Sequence, residues 1–320
     1  MSVGPQMTTV LLSALAAACT AYGTSLLFFP ALRTPPRVRV SVFMCLAGLI
    51  ALTPWIVPAE DRIARFFVAL YAGVLVLKMW DLHVGVGRSV SPSWTEFLGF
   101  MANLLSLVHR RTGFERRPSL RQDGAKFFKS LALGSLGLLA LFSLLRLEWN
   151  SIPFLVEHLL KATAFFLGAA GFISAAAAAF RLLGAYAPEP MDRPLLARSP
   201  ADFWRRYNRW IGEGLREDLF RLIGGRRRPL LATLVVLLVS GALHEFVFFL
   251  AIGEIHGYQL AFFSLQGVAV AMTLRWTPHR MVGVGATFTF NALSSVLFFA
   301  SIHGLMPLYE GGLPTWLWGV

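Results

Sequence analysis

Charge is scarce in this chain. Only 14% of its 320 residues are Asp, Glu, Lys or Arg, against about 25% in an average soluble domain. Acidic residues are scarcest, 17 against 29 basic ones. Cysteine is nearly absent: Cys19 and Cys45 each lie in an apolar run, which excludes a disulfide framework or a cysteine zinc site. The segment HEFVF at 244–248 lacks the second histidine of a zinc protease's H-E-x-x-H, so no metal is expected. Serine-hydrolase G-x-S-x-G, Walker and dinucleotide-binding patterns are missing too. No strand-period segment, internal repeat or low-complexity tract is visible.

What the chain has is apolar length. It is 56% hydrophobic, and its mean hydropathy is +0.62. It reads as an all-α polytopic membrane protein, one domain over 1–320. About eight transmembrane helices are expected, near 10–29, 40–57, 66–80, 127–145, 159–182, 230–252, 258–274 and 281–305. A span needs about 20 residues, so the third and seventh are short and call for shielding by protein. The run at 159–182 is rich in Gly and Ala, which let helices approach closely. No basic residue precedes the first run, which therefore reads as a retained helix, not a signal peptide.

Eight spans put loops 30–39, 78–129, 181–229 and 275–280 on one side. Those loops hold 25 of the 29 Lys and Arg, leaving Arg62, Arg65, Arg146 and Lys161 opposite. The positive-inside rule makes the crowded side cytoplasmic and puts both termini across the membrane or in a lumen. The net charge of +12 thus reads as topological signalling and contact with anionic membrane lipids, not nucleic-acid binding. Two polar stretches, 81–126 (with Arg110, Arg111, Arg116 and Arg117) and 184–229, are too short to fold alone and are expected to lie against the membrane.

The second of these carries a helix-start signal: Ser199 as N-cap, Pro200 at the first position and Asp202 as a capping acid. One amphipathic helix is expected over 200–223. Trp204, Asn208, Ile211, Leu215, Leu219 and Leu222 fall on one face, and Arg205, Arg209, Glu213 and Arg216 on the other. Asn208 is an amide inside the apolar stripe. Such a helix suits a membrane surface. The next span places His244 and Glu245 deep in the bilayer, where ionisable groups mark function.

The pairing of FWRRYN (203–208) with VSGALHE (239–245) resembles the membrane-bound O-acyltransferase family. It is most similar to the wax-synthase-like branch, with its FW-x-R-R-W-N segment and V-S-G-x-x-H-E helix. The match covers roughly 199–250, and Tyr207 stands where the family usually has Trp. The resemblance implies a helical bundle around a central tunnel, with a cytoplasmic amphipathic or re-entrant helix. It implies a fatty acyl group moved from acyl-CoA, as co-substrate, to a lipid alcohol, a long-chain alcohol or sterol. No cofactor is implied. His244 would be the catalytic base and Asn208 the second active-site polar residue. The host membrane would be a bacterial inner membrane or the endoplasmic reticulum, with the entrance cytoplasmic.

Around that pair, Trp204, Arg205, Arg206, Arg209, Gln266 and Asn291 are candidate substrate-binding residues. The arginines suit coenzyme A phosphates and equally suit lipid headgroups. Lys78, Trp80 and Asp81 could join the entrance. Counting from an outer turn at 253–257 puts Gln266 at the depth of His244, with Asn291 near mid-span. These amides either line a polar cavity with His244 or tie helices together. Glu245 points about 100° from His244 and reads as structural support with a cationic partner, Arg275 or Lys78. Two rival functions remain: acyl transfer to a polar acceptor such as a glycan, and transport along a polar mid-membrane path. Acceptor, acyl length and oligomeric state are not legible in the sequence.

Overall fold

A computed structural model describes residues 3–87, 91–111 and 119–314. Arg116 and Arg117 of the basic stretch lie outside them. The described residues are helical with no strand, as apolar segments must be when only the backbone itself can satisfy their amides. In chain order the helices are α1 (Val3–Leu26), α2 (Phe28–Ala31), α3 (Pro36–Leu52), α4 (Arg62–Val86), α5 (Trp94–Ala102) and α6 (Leu120–Leu144). There follow α7 (Phe154–Leu182), α8 (Pro200–Arg206), α9 (Arg209–Leu215), α10 (Pro229–Ile252), α11 (Tyr258–Thr273) and α12 (Arg280–Leu305).

Among the described residues seven helical segments are long and apolar enough to cross a membrane: α1 continued through α2, then α3, α4, α6, α7, α10 and α12. The chain is a multi-pass membrane protein by this measure. The expected eighth, α11, has 16 residues, about 24 Å at 1.5 Å per residue, against roughly 30 Å of hydrocarbon. Both of its ends are tied into the bundle. Its C-terminal Thr273 hydroxyl accepts from the Ala201 amide on the arginine-rich side, 3.2 Å. Its N-terminus abuts α10 near the opposite end, where Ile252 touches Gly304 and Arg62 donates to the Gly304 carbonyl, 2.9 Å.

The third run, expected to be short, belongs to a 25-residue helix. Its flanking charges extend it instead of ending it, because backbone carbonyls receive them. Arg65 donates to the Val57 carbonyl, 2.7 Å, and buried Lys78 to those of Phe100 and Asn103. That lysine docks α5 into the bundle, where Phe97, Phe100 and Met101 are buried with Phe28, Leu75 and Met79. This part of 81–126 is therefore packed against α4, not laid on the membrane surface.

The α6–α7 pair is the closest. A Cβ on Gly137 would sit 2.3 Å from the Gly168 nitrogen, and one on Gly171 2.3 Å from that of Gly134. Only glycine permits that approach.

The expected single helix over 200–223 is broken. Ser199 does cap α8, accepting from the Asp202 amide at 3.1 Å, while Asp202 accepts from Arg198 and not from Ser199. The helix then stops: Tyr207 is extended and Asn208 is left-handed, φ 48° and ψ 49°. Asn tolerates that region better than most residues. The break is pinned on both sides. The Asp192 amide donates to the Arg206 carbonyl, 2.9 Å, and the Arg209 amide to that of Pro190, 3.0 Å. A five-residue π-helix at 216–220 follows α9.

Candidate functional site

The bundle holds a partly open cavity of about 540 Å³ walled by α7, the broken α8–α9 segment, α10, α11 and α12. Along α10 it extends from Pro229 at the arginine-rich end to His244, fifteen residues or about 22 Å. Phe, Leu, Ala and Val make most of the wall. Apart from Thr163 on α7, the polar exceptions on the spans form two stripes: Thr233, Ser240 and His244 on α10, and Thr287, Asn291 and Ser295 on α12.

His244 is oriented by its own helix. Its Nδ1 is 2.8 Å from the Ser240 carbonyl oxygen. A carbonyl only accepts, so the proton sits on Nδ1 and Nε2 keeps a free lone pair. The ring packs 4.5 Å from that of Phe263 and 6.3 Å from that of Phe298. This is a neutral, apolar setting for a proton acceptor.

Asn208 lines the same cavity. Its side chain makes no cap bond to α9, and its Oδ1 is buried without a hydrogen-bond partner. A buried amide oxygen left unpaired costs about 1–3 kcal/mol. Such costs recur at ligand sites, as does a backbone held left-handed by its surroundings. Tyr207, beside it, stacks between Phe203 and Phe166 at 5.2 and 6.0 Å. Burial pushes its phenol pKa up.

Trp204 lines the cavity and starts a relay behind its wall. Its indole Nε1 donates to Gln266 Oε1, 2.9 Å, and Gln266 Nε2 donates to Asn291 Oδ1, 3.2 Å, and Ser294 Oγ, 2.9 Å. Gln266 is buried behind the wall and does not line the cavity, whereas Asn291 does. Gln266 is thus the tie between helices and Asn291 the wall residue. Nor does Gln266 share the depth of His244. Gly267 faces Leu234 and Leu237 of α10, and Gly241 faces Leu260 and Phe263, which sets Gln266 about two turns nearer the arginine side.

Glu245 explains that offset. Its carboxylate accepts the amides of His256, 3.0 Å, Gly257, 2.6 Å, and Gln259, 2.9 Å. It caps the start of α11, whose first amides have no helical acceptor. The expected cationic partners, Arg275 and Lys78, are not used. α11 begins on a side chain seven residues below the end of α10, so it starts inset and can be short.

The arginines separate by role. Arg206 Nε is 3.0 Å from Asp202, and Arg205, largely exposed, 3.3 Å. Arg205 lines the cavity, while Arg206 and Arg209 do not. Arg216, exposed and also lining the cavity, was read from sequence only as part of a polar face. Lys78, Trp80 and Asp81 are away from the cavity wall: Asp81 meets Arg110 at 3.1 Å, and Arg110 reaches Asp218 at 2.7 Å. They brace α4 against the 216–220 turn.

Sequence reasoning missed Phe263, Thr287 and Ser295. Thr287–Asn291–Ser295 at four-residue spacing in an apolar span was a usable signal; the approach of Phe263 to His244 depends on the α11 offset and had none. Among the described residues no group of three His, Cys, Asp or Glu could hold a metal. The chain matches no protein-family model and no curated protein.

Proposed function

We propose that the protein is a membrane-embedded O-acyltransferase that moves a fatty acyl group from acyl-CoA to the hydroxyl of a lipid. The observation that carries the reading is one apolar cavity lined both by a histidine with a free Nε2 and by an asparagine whose side chain caps no helix. These are the residues singled out by the resemblance of 203–208 and 239–245 to the wax-synthase-like membrane-bound O-acyltransferases.

In this mechanism the acyl chain lies along the apolar wall and the thioester sits by Asn208. The Asn208 amide N–H stabilises the oxyanion that forms as the carbonyl is attacked. His244 Nε2 takes the proton of the acceptor alcohol while its oxygen bonds to the acyl carbon. Collapse breaks the carbon–sulfur bond, and the proton passes from His244 to the departing thiolate. The products are an ester and free coenzyme A. Ser240 holds the imidazole in the tautomer this requires, and the apolar wall limits competing hydrolysis. Arg205 and Arg216 at the arginine-rich end suit the phosphates of coenzyme A.

The test is product identification. Radiolabelled palmitoyl-CoA with purified protein and hexadecanol, a sterol, or no acceptor should yield labelled ester only with an acceptor. Labelled free fatty acid alone, or no product, would contradict the reading.

A further inference from the structure

On the α7–α12 side of the cavity a second polar assembly reaches the wall, and the acyl-transfer steps leave it unused. His158 of α7 is fully buried. Its Nδ1 lies 2.7 Å from the Tyr309 hydroxyl, and its Nε2 lies 3.0 Å from Ser295 Oγ and 3.1 Å from the Ala292 carbonyl. Ser295 lines the cavity and donates to the same Ala292 carbonyl, 2.8 Å.

The protons in this assembly have one consistent arrangement. The Ala292 carbonyl only accepts, so His158 Nε2 carries a hydrogen, shared with Ser295 Oγ. Nδ1 then accepts from Tyr309 O–H. The Ser295 proton is committed to Ala292 and one of its lone pairs to His158. What remains toward the cavity is one lone pair, a hydrogen-bond acceptor in an apolar wall. It lies one helical turn from Phe298, whose ring is 6.3 Å from that of His244. Besides the unpaired Asn208 oxygen, the cavity thus presents two acceptors near Phe298, His244 Nε2 and Ser295 Oγ. A simple long-chain alcohol brings one O–H and satisfies one of them.

We infer that Ser295, positioned by His158 and Tyr309, is a specificity residue for a lipid acceptor with two hydroxyls, a diol or monoacylglycerol-type head. One hydroxyl goes to His244 and the other donates to Ser295. The assignment of the first hydroxyl rests on the acyl-transfer reading; that of the second rests on the geometry of the cavity wall. Unmet acceptors discriminate strongly, because a ligand without the matching donor leaves a buried polar atom unpaired.

The experiment is competition for photo-crosslinking of a diazirine-bearing hexadecanol to the purified full chain, with coenzyme A release from palmitoyl-CoA measured in parallel. Competitors are hexadecanol, 1,2-hexadecanediol and monopalmitoylglycerol. The two-hydroxyl lipids should compete about tenfold better than hexadecanol in the wild type. That advantage should fall within twofold in Ser295→Ala and return in Ser295→Thr. Tyr309→Phe, which removes the donor to His158, should reduce it partly. Equal competition in the wild type, as a bound water alone at Ser295 would give, overturns the inference. An advantage that survives Ser295→Ala also overturns it, as does failure of the probe to crosslink. The advantage without coenzyme A release would leave the Ser295 site standing and contradict acyl transfer instead. Acceptor-dependent release with no two-hydroxyl advantage would do the reverse.

Discussion

Two side chains carry the proposed site, and each is prepared by backbone. His244 donates to a carbonyl one turn back on α10, which leaves the other nitrogen for substrate. Asn208 occupies a left-handed position that its own side chain does not support. Backbone and chemistry can be separated there. Asn208→Gly keeps the left-handed conformation without a Cβ penalty and removes the amide. It should leave thermal stability in detergent unchanged or slightly raised, while acyl transfer falls about a hundredfold. If activity survives, Asn208 is a turn residue and nothing more. Tyr207→Trp should be tolerated, since the position is filled by ring stacking; its measure is retained turnover and retained elution as a monodisperse species.

At the scale of elements, Glu245 and α11 belong together. Three amides at the start of a short helix depend on one carboxylate. Glu245→Ala should lower stability by about 3 kcal/mol, while Glu245→Gln, which still accepts, should lose less; thermal unfolding of the purified protein reads both. The α6–α7 pair is equally specific: Gly137→Leu cannot fit against Gly168 and should abolish recovery of folded protein. The helices themselves were legible in the sequence, because an apolar run in lipid has no other backbone solution. Their ends were less so. Lys78 and Asp81 look like a helix terminus, yet they are interior to α4 because carbonyls of α5 and Arg110 receive them. The break at Tyr207–Asn208 was hidden for a related reason. The amphipathic pattern runs unbroken through it, and the bonds that enforce it come from Pro190 and Asp192, a segment with no periodicity to read. Of the candidate residues, Trp204, Arg205, Asn208, His244 and Asn291 meet at one cavity; Gln266, Arg206 and Arg209 do not line it. What sequence could not supply was the offset of α11, since depth was counted from a turn assumed to be symmetric.

Across the whole molecule, charge and cavity share a direction. The arginine-rich loops gather at the end where the cavity begins beside Pro229 and Arg216, and His244 lies about 22 Å further in along α10. In the proposed reaction the water-soluble donor would enter from the charged side and the lipid from the bilayer. Topology is open to direct test in a chain whose only cysteines, Cys19 and Cys45, are first replaced by serine. A membrane-impermeant maleimide applied to intact cells should label Glu254→Cys and not Arg226→Cys; the opposite pattern would invert the molecule and put the cavity's charged end outside.

The central claim, that His244 is the base of an acyl transfer, is tested most directly by free coenzyme A released from palmitoyl-CoA by wild type and His244→Ala. Release that requires a lipid alcohol and falls at least a hundredfold in folded His244→Ala is the expected result. Equal release by both proteins, or none from a folded wild type with any acceptor, would contradict it.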